Sequence, residues 1–421
     1  MSNLSKQNNS LKSFFFLVIL FFSTGYIFSQ DKTIFSINKN PVNQSYWWLE
    51  KNNYGQSTNK VNFESSVKFR KSKKTYVINL FTIKNNRGEN KLLFNESYIK
   101  HNFSENSFLK VGRYYRDFSK YLDEILSSGS MLISYNAQAM PKIGFVSSKK
   151  INKKIYFDYG ISHAIFEKNQ LYISPPFLHE KFLYLNLIKE KNLFSIGIVH
   201  EAMWGGTTLR LGEQPNSFKD FVKVFFSADG NPIEGEPHTN AIGNHLGIWD
   251  FSYQTINNNK IFKLYYQHIF EDTSGLRFAN KTDGLWGLEL KNYVPKTTLL
   301  LEYVSTKHQN INPPYVQESY YNHGIYDSGW TYKNYVLGSP FIQNTNSSNI
   351  EDNEILYLAT SFGFLSKYQS VIKLSKRINK KEGIKYKIHL VRDLKSKGSI
   401  GLFIVNNEND IGTGIIFNKY L

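Results

Sequence analysis

From about residue 61 to the C-terminus, apolar and polar side chains alternate in short runs. Ile384, Tyr386, Ile388 and Leu390 share one face, while Lys385, Lys387, His389 and Asp393 share the other. A β-strand sends successive side chains to opposite faces, so this run is a ribbon with one oily side and one wet side. Tyr368, Ile372 and Leu374 oppose Lys367, Gln369, Lys373 and Arg377 in the same way. Further alternations set Phe262, Leu264 and Tyr266 against Lys263, Tyr265 and Gln267, and Ile155, Phe157, Tyr159 and Ile161 against Tyr156, Asp158, Gly160 and Ser162. Trp286, Leu288 and Leu290 likewise oppose Gly287, Glu289 and Lys291. The pattern predicts strands at 61–70, 75–84, 91–103, 106–116, 131–136, 142–148, 153–163, 181–190, 193–203, 243–256, 260–270, 284–293, 297–305, 354–365, 367–378, 384–393, 399–407 and 410–420, about eighteen in all.

A soluble sheet with one wet face shows the same alternation, so the strands alone do not settle the architecture. The connections do more. From residue 153 onward, long ones near 164–180, 204–242, 271–283 and 306–353 alternate with short ones at 191–192, 257–259 and 294–296. Outer-membrane barrels have this parity, with long loops at one end, short turns at the other and an even number of strands. The expected fold is therefore all-β: a transmembrane antiparallel β-barrel with apolar side chains toward lipid and polar ones toward a lumen. Two connections carry helical spacing. Asn216 and Ser217 cap a run in which Phe218, Phe221, Val222 and Phe225 recur at helical intervals. Phe118, Tyr121, Leu122, Ile125 and Leu126 do the same and end at Gly129. The first helix is expected over the outer mouth. The second falls in a connection of periplasmic parity, and is expected to cover the inner mouth or enter the lumen. Helices so placed occlude a lumen.

Composition adds an export route. Lys6 and Lys12 precede an apolar run from Phe14 to Phe22, too short to span a bilayer, and Ser29-Gln30 offers a cleavage point. The expected organisation is a signal peptide at 1–29 and one barrel domain at 30–421. Loss of the two lysines lowers the formal charge from +17 to +15. The basic excess would attract anionic lipopolysaccharide or acidic glycan. However, only eight of the 51 basic residues are Arg, which points more strongly to Lys-rich coding. Nucleic acid is excluded as a partner by export. The chain has no Cys, which removes disulfides, thiolate metal sites and a lipid-modified N-terminal Cys. The 28 Tyr and 33 Phe would furnish interfacial girdles.

Few residues suggest catalysis. His200-Glu201 opens like a zinc-protease motif, but Trp204 stands where the second His is required. His268, Glu271 and Asp272 gather at a strand end and read as a hydrogen-bonded cluster at the barrel rim. Asn322, His323 and Ser328 resemble the residue types of barrel acyl hydrolases. No metal or cofactor is implied. A glycan surface needs aromatic faces and polar groups for hydroxyls and uronates. Trp204, Arg210, Lys219 and Lys223 in one long loop, and Trp330, Tyr332 and Lys333 in another, are the candidate polysaccharide contacts.

Several stretches together resemble the Wzi family of capsule-assembly outer-membrane proteins, in the form common among Bacteroidetes. They are Leu126-Ser-Ser-Gly-Ser130 with Asn136-Ala-Gln-Ala-Met-Pro141, and Ile242-Gly-Asn-His-Leu-Gly247 with Trp249-Asp250-Phe251. Tyr266-Gln-His268, Phe270-Glu-Asp272, Asp283-Gly-Leu-Trp-Gly-Leu288, and Tyr320-Tyr-Asn-His323 with Ser328-Gly-Trp330 follow in family order. The resemblance implies an 18-stranded barrel with helical elements restricting its lumen. It also implies lectin-like, non-catalytic binding that anchors capsular or other surface polysaccharide. The C-terminal Phe417, Tyr420 and Leu421 resemble a barrel's terminal strand, except that the last residue is not aromatic. The expected partners are surface polysaccharide, outer-membrane lipid and lipopolysaccharide, around a monomeric barrel in the outer membrane of a Gram-negative bacterium. The alternatives are a diffusion porin, a barrel hydrolase acting on lipid or glycan, and a soluble periplasmic β protein.

Overall fold

The structure, a computed structural model, describes residues 32–39, 51, 54, 61–86, 92–230, 241–271, 273–309, 320–342, 352–408 and 410–420. The signal peptide expected at 1–29, and Asp272, lie outside the described residues. The first strands are β1 (Lys32–Lys39), β2 (Val61–Ser72), β3 (Tyr76–Asn86), β4 (Leu92–Phe94), β5 (Ser97–Asn102), β6 (Ser107–Arg113), β7 (Pro141–Lys150) and β8 (Ile155–Ile165). After the short β9 (Tyr172–Ser174) come β10 (Phe177–Lys189) and β11 (Asn192–Trp204). The short β12 (Thr207–Thr208) and β13 (Gly212–Glu213) then lead to helix α1 (Phe218–Phe226). The chain continues through β14 (Asn244–Asn257), β15 (Lys260–Phe270), the one-turn α2 (Thr273–Leu276), β16 (Gly284–Lys291) and β17 (Thr297–Ser305). The short β18 (Thr331–Tyr332) and β19 (Tyr335–Val336) precede β20 (Glu354–Phe364), β21 (Tyr368–Arg377), β22 (Lys385–Asp393), β23 (Ser399–Asn407) and β24 (Asp410–Tyr420).

Nineteen of these strands form one sheet, antiparallel throughout. In it β4 and β5 lie end to end against the same neighbour, β3. The first strand, β1, pairs with β2 on one side and with β24 on the other, Lys32 standing opposite both Lys68 and Tyr420. The hydrogen-bond ladder thus returns on itself, as a barrel requires. Burial is inside out. Along β17 the leucines 299 and 301 face outward and are exposed, while Leu300, Glu302 and Val304 are fully buried inside. Along β15 Leu264 is exposed and Lys263, Tyr265 and Gln267 are buried. No described helix is long and apolar enough to cross a membrane; the strands carry the apolar exterior.

Two expectations need correction, and they are linked. Residues 131–136 alternate like a strand but pair with none, and β1 is a strand that the pattern did not announce. Without a strand at 131–136, the connection 114–140 leaves from the long-loop mouth and not from the short-turn end. The helix expected from Phe118 to Leu126 is also absent; this stretch is a series of turns. Phe118, Leu122 and Leu126 are buried while Ile125 is exposed, because the segment enters the lumen as irregular chain. There Phe118, Leu122, Leu126, Met131 and Leu132 pack with Tyr320, Tyr321, Tyr326, Trp330 and Phe341 from the loop 320–342. The lumen is therefore occluded by irregular chain with an apolar core.

Buried polar side chains of the wall hold this plug. Asp250 accepts from Ser119 Oγ at 2.5 Å, from Tyr184 OH at 2.6 Å and from Tyr121 OH. Glu302 accepts from Ser127 Oγ at 2.7 Å, the Ser128 N–H at 2.8 Å and Tyr265 OH at 2.5 Å. Gln267 accepts the Met131 N–H at 2.9 Å, and Tyr357 OH donates to the Leu126 carbonyl at 2.8 Å. Irregular chain has no ladder of its own, so its buried N–H and C=O groups need such partners. The wall's polar inner face supplies them.

Candidate functional site

The two plug segments also build the outer face of the closed mouth. Trp330 Nε1 donates to the Leu132 carbonyl at 2.9 Å, Tyr321 OH to the Met131 carbonyl at 2.5 Å, and Asn136 Nδ2 to the Val336 carbonyl at 3.0 Å. On this base stands the hairpin β18–β19, turned by Lys333 and Asn334 with φ of 55° and 64°. Positive φ at both turn residues is the type I′ arrangement that matches strand twist. Asn is suited to it and Lys is not, since a side chain in the left-handed region is strained by about 1–2 kcal/mol. Glu167 offsets this strain: it accepts the Lys333 N–H at 3.0 Å and pairs with the Lys333 ammonium.

Between this hairpin and the loop 166–172 lies a cleft of about 260 Å³. Its polar lining is Glu167, Asn169, Asp327, Ser328, Lys333 and Asn334, with Phe166, Leu171 and Tyr172 adding apolar surface. Tyr172 OH and Ser328 Oγ are 2.6 Å apart at its floor. Arg210, from the loop between β12 and β13, reaches over to Asp327 at 3.1 Å and donates to the Gly324 carbonyl. Carboxylates, amides and hydroxyls converging on a shallow space can accept and donate to sugar hydroxyls. Beside the cleft His323 stacks on Tyr326, and its Nδ1 accepts the Ile325 N–H at 3.2 Å. Burial holds its pKa down at about 4.

The seven residues proposed as contacts from the sequence are dispersed by the fold. Lys333 lines the cleft and Arg210 closes its edge. Trp330 and Tyr332 are buried in the plug, where Arg113 Nη1 donates to Tyr332 OH at 3.1 Å. Trp204, Lys219 and Lys223 belong elsewhere, on the outer wall. Even-numbered residues of β11 face outward, as the exposed Phe194 and Ile196 show, so His200, Ala202 and Trp204 share that face. Trp204 lies there beneath α1, its ring 5.5 Å from that of Phe221. Lys219 is exposed and Lys223 half-buried on α1 itself. The helix thus exists where the spacing placed it, but it flanks the mouth on the outside of the wall. Only Phe221 and Phe225 of the expected apolar stripe face the barrel; Phe218 and Val222 are exposed.

The cleft's Glu167, Asn169 and Tyr172 escaped the sequence reading because that loop has no Trp or charged cluster to draw notice. Ser328 attracted notice as a nucleophile, whereas its hydroxyl is engaged with Tyr172. His268 faces outward, 2.7 Å from Tyr266 OH and 3.0 Å from the Gly275 carbonyl, stacked on Phe278, as a satisfied rim cluster. Among the described residues no three His, Asp or Glu side chains are grouped to hold a metal ion.

The solved structure of Wzi from Escherichia coli, described as an outer-membrane protein involved in group 1 capsule assembly and a carbohydrate-binding β-barrel, superimposes with a TM-score of 0.60 at 14% identity, covering 93% of this chain and 84% of that one. A porin mutant of Rh. blastica aligns over 93% of this chain and 99% of its own, at 8% identity and a TM-score of 0.40. No curated protein sequence matches the chain. The family model for the capsule assembly protein Wzi matches residues 46–407. The chain belongs to the Wzi family of capsule assembly proteins.

Proposed function

We propose that this protein is an outer-membrane barrel that binds surface polysaccharide at its closed mouth and holds it on the cell during capsule assembly, without turning it over. The observation that carries this reading is the polar cleft built on a plugged lumen: a surface suited to hydroxyl-rich polymer stands where a pore would open. The E. coli relative is a carbohydrate-binding barrel involved in capsule assembly, which agrees. A shallow site suits a polymer, because weak contacts on successive repeats add through effective concentration. The mature chain is a single barrel from residue 30, monomeric, exported by the cleaved segment 1–29 and surrounded by lipopolysaccharide.

The non-catalytic part of the reading rests on the candidate groups themselves. Ser328 Oγ is spent on Tyr172, and His323 Nδ1 on backbone N–H groups. The test compares wild type with a deletion strain and with Glu167→Ala/Asp327→Ala, measuring cell-attached and released polysaccharide separately. Shedding of polymer into the medium at unchanged total synthesis is expected from the deletion, and partial shedding from the double variant. Unaltered attached and released amounts in the deletion strain would refute capsule retention.

A further inference from the structure

We propose that α1 is a lipid-binding helix on the barrel exterior, seating Phe218, Val222 and Phe226 among outer-leaflet acyl chains while Lys219 and Lys223 take the phosphate of an anionic lipid. The inference is independent of polysaccharide binding. On β10 the exposed Leu183 and Leu187 face outward, so Lys181 and His179 share the outer face. His163 stands opposite His179 on β8, and His200 opposite Lys181 on β11. On β14 the inward Asp250 fixes His245 on the outside. These five polar side chains make a belt at the upper edge of the apolar wall, and α1 lies over it. Its Phe221 ring sits 5.1 Å from His163 and 5.3 Å from His179, and Lys181 donates to the Phe225 carbonyl. The αL residue Ser227 that ends the helix places its Oγ 3.1 Å from His200, itself 2.8 Å from His245.

The level is set by the neighbouring strands. Trp249, Phe251, Tyr266 and Trp286 stack along the outside of β14, β15 and β16 with centroids 6.4, 6.3 and 3.8 Å apart. Such an aromatic row marks the membrane–water interface of a barrel. Trp249 is paired with Ile198, immediately below His200, so α1 runs along the upper side of this girdle. The helix then has two faces. Phe221, Val224 and Phe225 cover the belt, while Phe218, Val222 and Phe226 are 80%, 40% and 73% exposed on the far side. At 100° per residue Lys219 and Lys223 follow directly on this arc. An apolar arc bordered by lysines at the interface is the pattern of helices that lie on anionic membranes. Asp220, the acid between the lysines, is turned back onto the Ser217 N–H and Oγ at 2.9 and 2.7 Å. The arc facing the leaflet is therefore cationic and oily.

The chain has no Cys, so Phe226→Cys and Leu209→Cys each carry a single nitroxide on the full-length barrel. The barrels are folded into liposomes containing bisphosphorylated lipid A or its dephosphorylated form. Collisions with oxygen are expected to exceed those with an aqueous nickel chelate at 226 and not at 209, a loop site over the mouth. Native mass spectrometry should show that Lys219→Glu/Lys223→Glu retains on the order of tenfold less bisphosphorylated lipid A, with little change for the dephosphorylated lipid. Lys219→Gln/Lys223→Gln and heat-modifiable migration guard against misfolding. A water-exposed label at 226 in both liposomes, or retention unaffected by charge reversal, would overturn the proposal. Shielding of the label by soluble capsular polysaccharide in lipid-free micelles would assign the arc to polymer and overturn it equally.

Discussion

At the scale of single residues, the carboxylates that hold the plug are positioned by wall tyrosines that reach them across glycines. Tyr265 stands opposite Gly287 and donates to Glu302, and Tyr184 stands opposite Gly197 and donates to Asp250. A Cβ at 287 would fall 2.0 Å from the Tyr265 ring, and one at 197 would fall 2.2 Å from that of Tyr184. Gly287→Ala must therefore move the ring and lengthen its bond to Glu302. Overpacking of this kind destabilises by about 1–3 kcal/mol, and urea unfolding of the liposome-inserted barrel should register it, with Tyr265→Phe recovering none of the lost bond. A second residue-scale expectation concerns pH. His323 has an ordinary value of 6.5 and a folded value near 4, so the fold holds the neutral ring. Its contribution is present above 6.5 and lost as pH falls toward 4, because only the unfolded loop takes up the proton readily. Amide protection in the segment 320–342, corrected for intrinsic exchange at each pH, should fall across that window, and His323→Phe should flatten the response; an unchanged pH profile in the variant would remove His323 as the cause.

At the scale of elements, the alternating pattern located most strands because lipid outside and polar plug inside impose a strict period of two. It failed where that constraint lapses. Residues 131–136 alternate only by coincidence, since the plug surrounds them on all sides, and the apparent helix at Phe118–Leu126 dissolves because that segment enters the lumen as irregular chain. The α1 spacing was legible because a capped amphipathic helix is a local structure; which side of the wall it covers depends on register, a long-range property. The buried Trp330 and Tyr332 show a related limit, because an aromatic residue in a loop reads alike whether it faces solvent or a plug. Two elements yield tests. In α1 the Ser217 hydroxyl accepts from the Asp220 N–H at 3.2 Å while the Asp220 carboxylate, held below its ordinary pKa by that hydroxyl, accepts the Ser217 N–H. Ser217→Ala should weaken the helix by about 1 kcal/mol, seen as faster exchange at 218–226 with no change in β10 or β11. In the hairpin β18–β19, Lys333→Gly relieves the strained φ but removes the pair with Glu167, whereas Glu167→Ala leaves the strain uncompensated. The hairpin amides should therefore be better protected in Lys333→Gly than in Glu167→Ala, and equal protection would mean that Glu167 does not hold the turn.

At the scale of the whole molecule, the decisive property is that the barrel wall encloses a hydrophobic core shared by the plug and the wall's inner face. The plug segments 114–140 and 320–342 pack their apolar side chains on each other and on inward wall residues such as Ile248, Leu300 and Val304, and hydrogen bonds tie them both to the wall and to one another. Such an insert is not a gate held by one latch. Asp250→Ala removes the shared acceptor of Ser119, Tyr121 and Tyr184, yet Gln267 still donates to Ser119 and Tyr121, and the Glu302, Gln267 and Tyr357 bonds still hold the chain from Leu126 to Met131. In planar bilayers the wild type should insert without ion conductance. Asp250→Ala should give at most brief flickers, and Asp250→Ala combined with Glu302→Ala, which removes both carboxylate anchors, should give sustained channel events. Conductance in the wild type would mean the described plug leaves a path and would favour a diffusion role. Silence in the double variant would mean that the apolar core shared by Trp330, Leu132 and Tyr321 closes the lumen unaided. Graded opening would show that the polar groups of the inner wall, inherited from the barrel's period of two, are what fix the closed mouth on which the polar cleft is built.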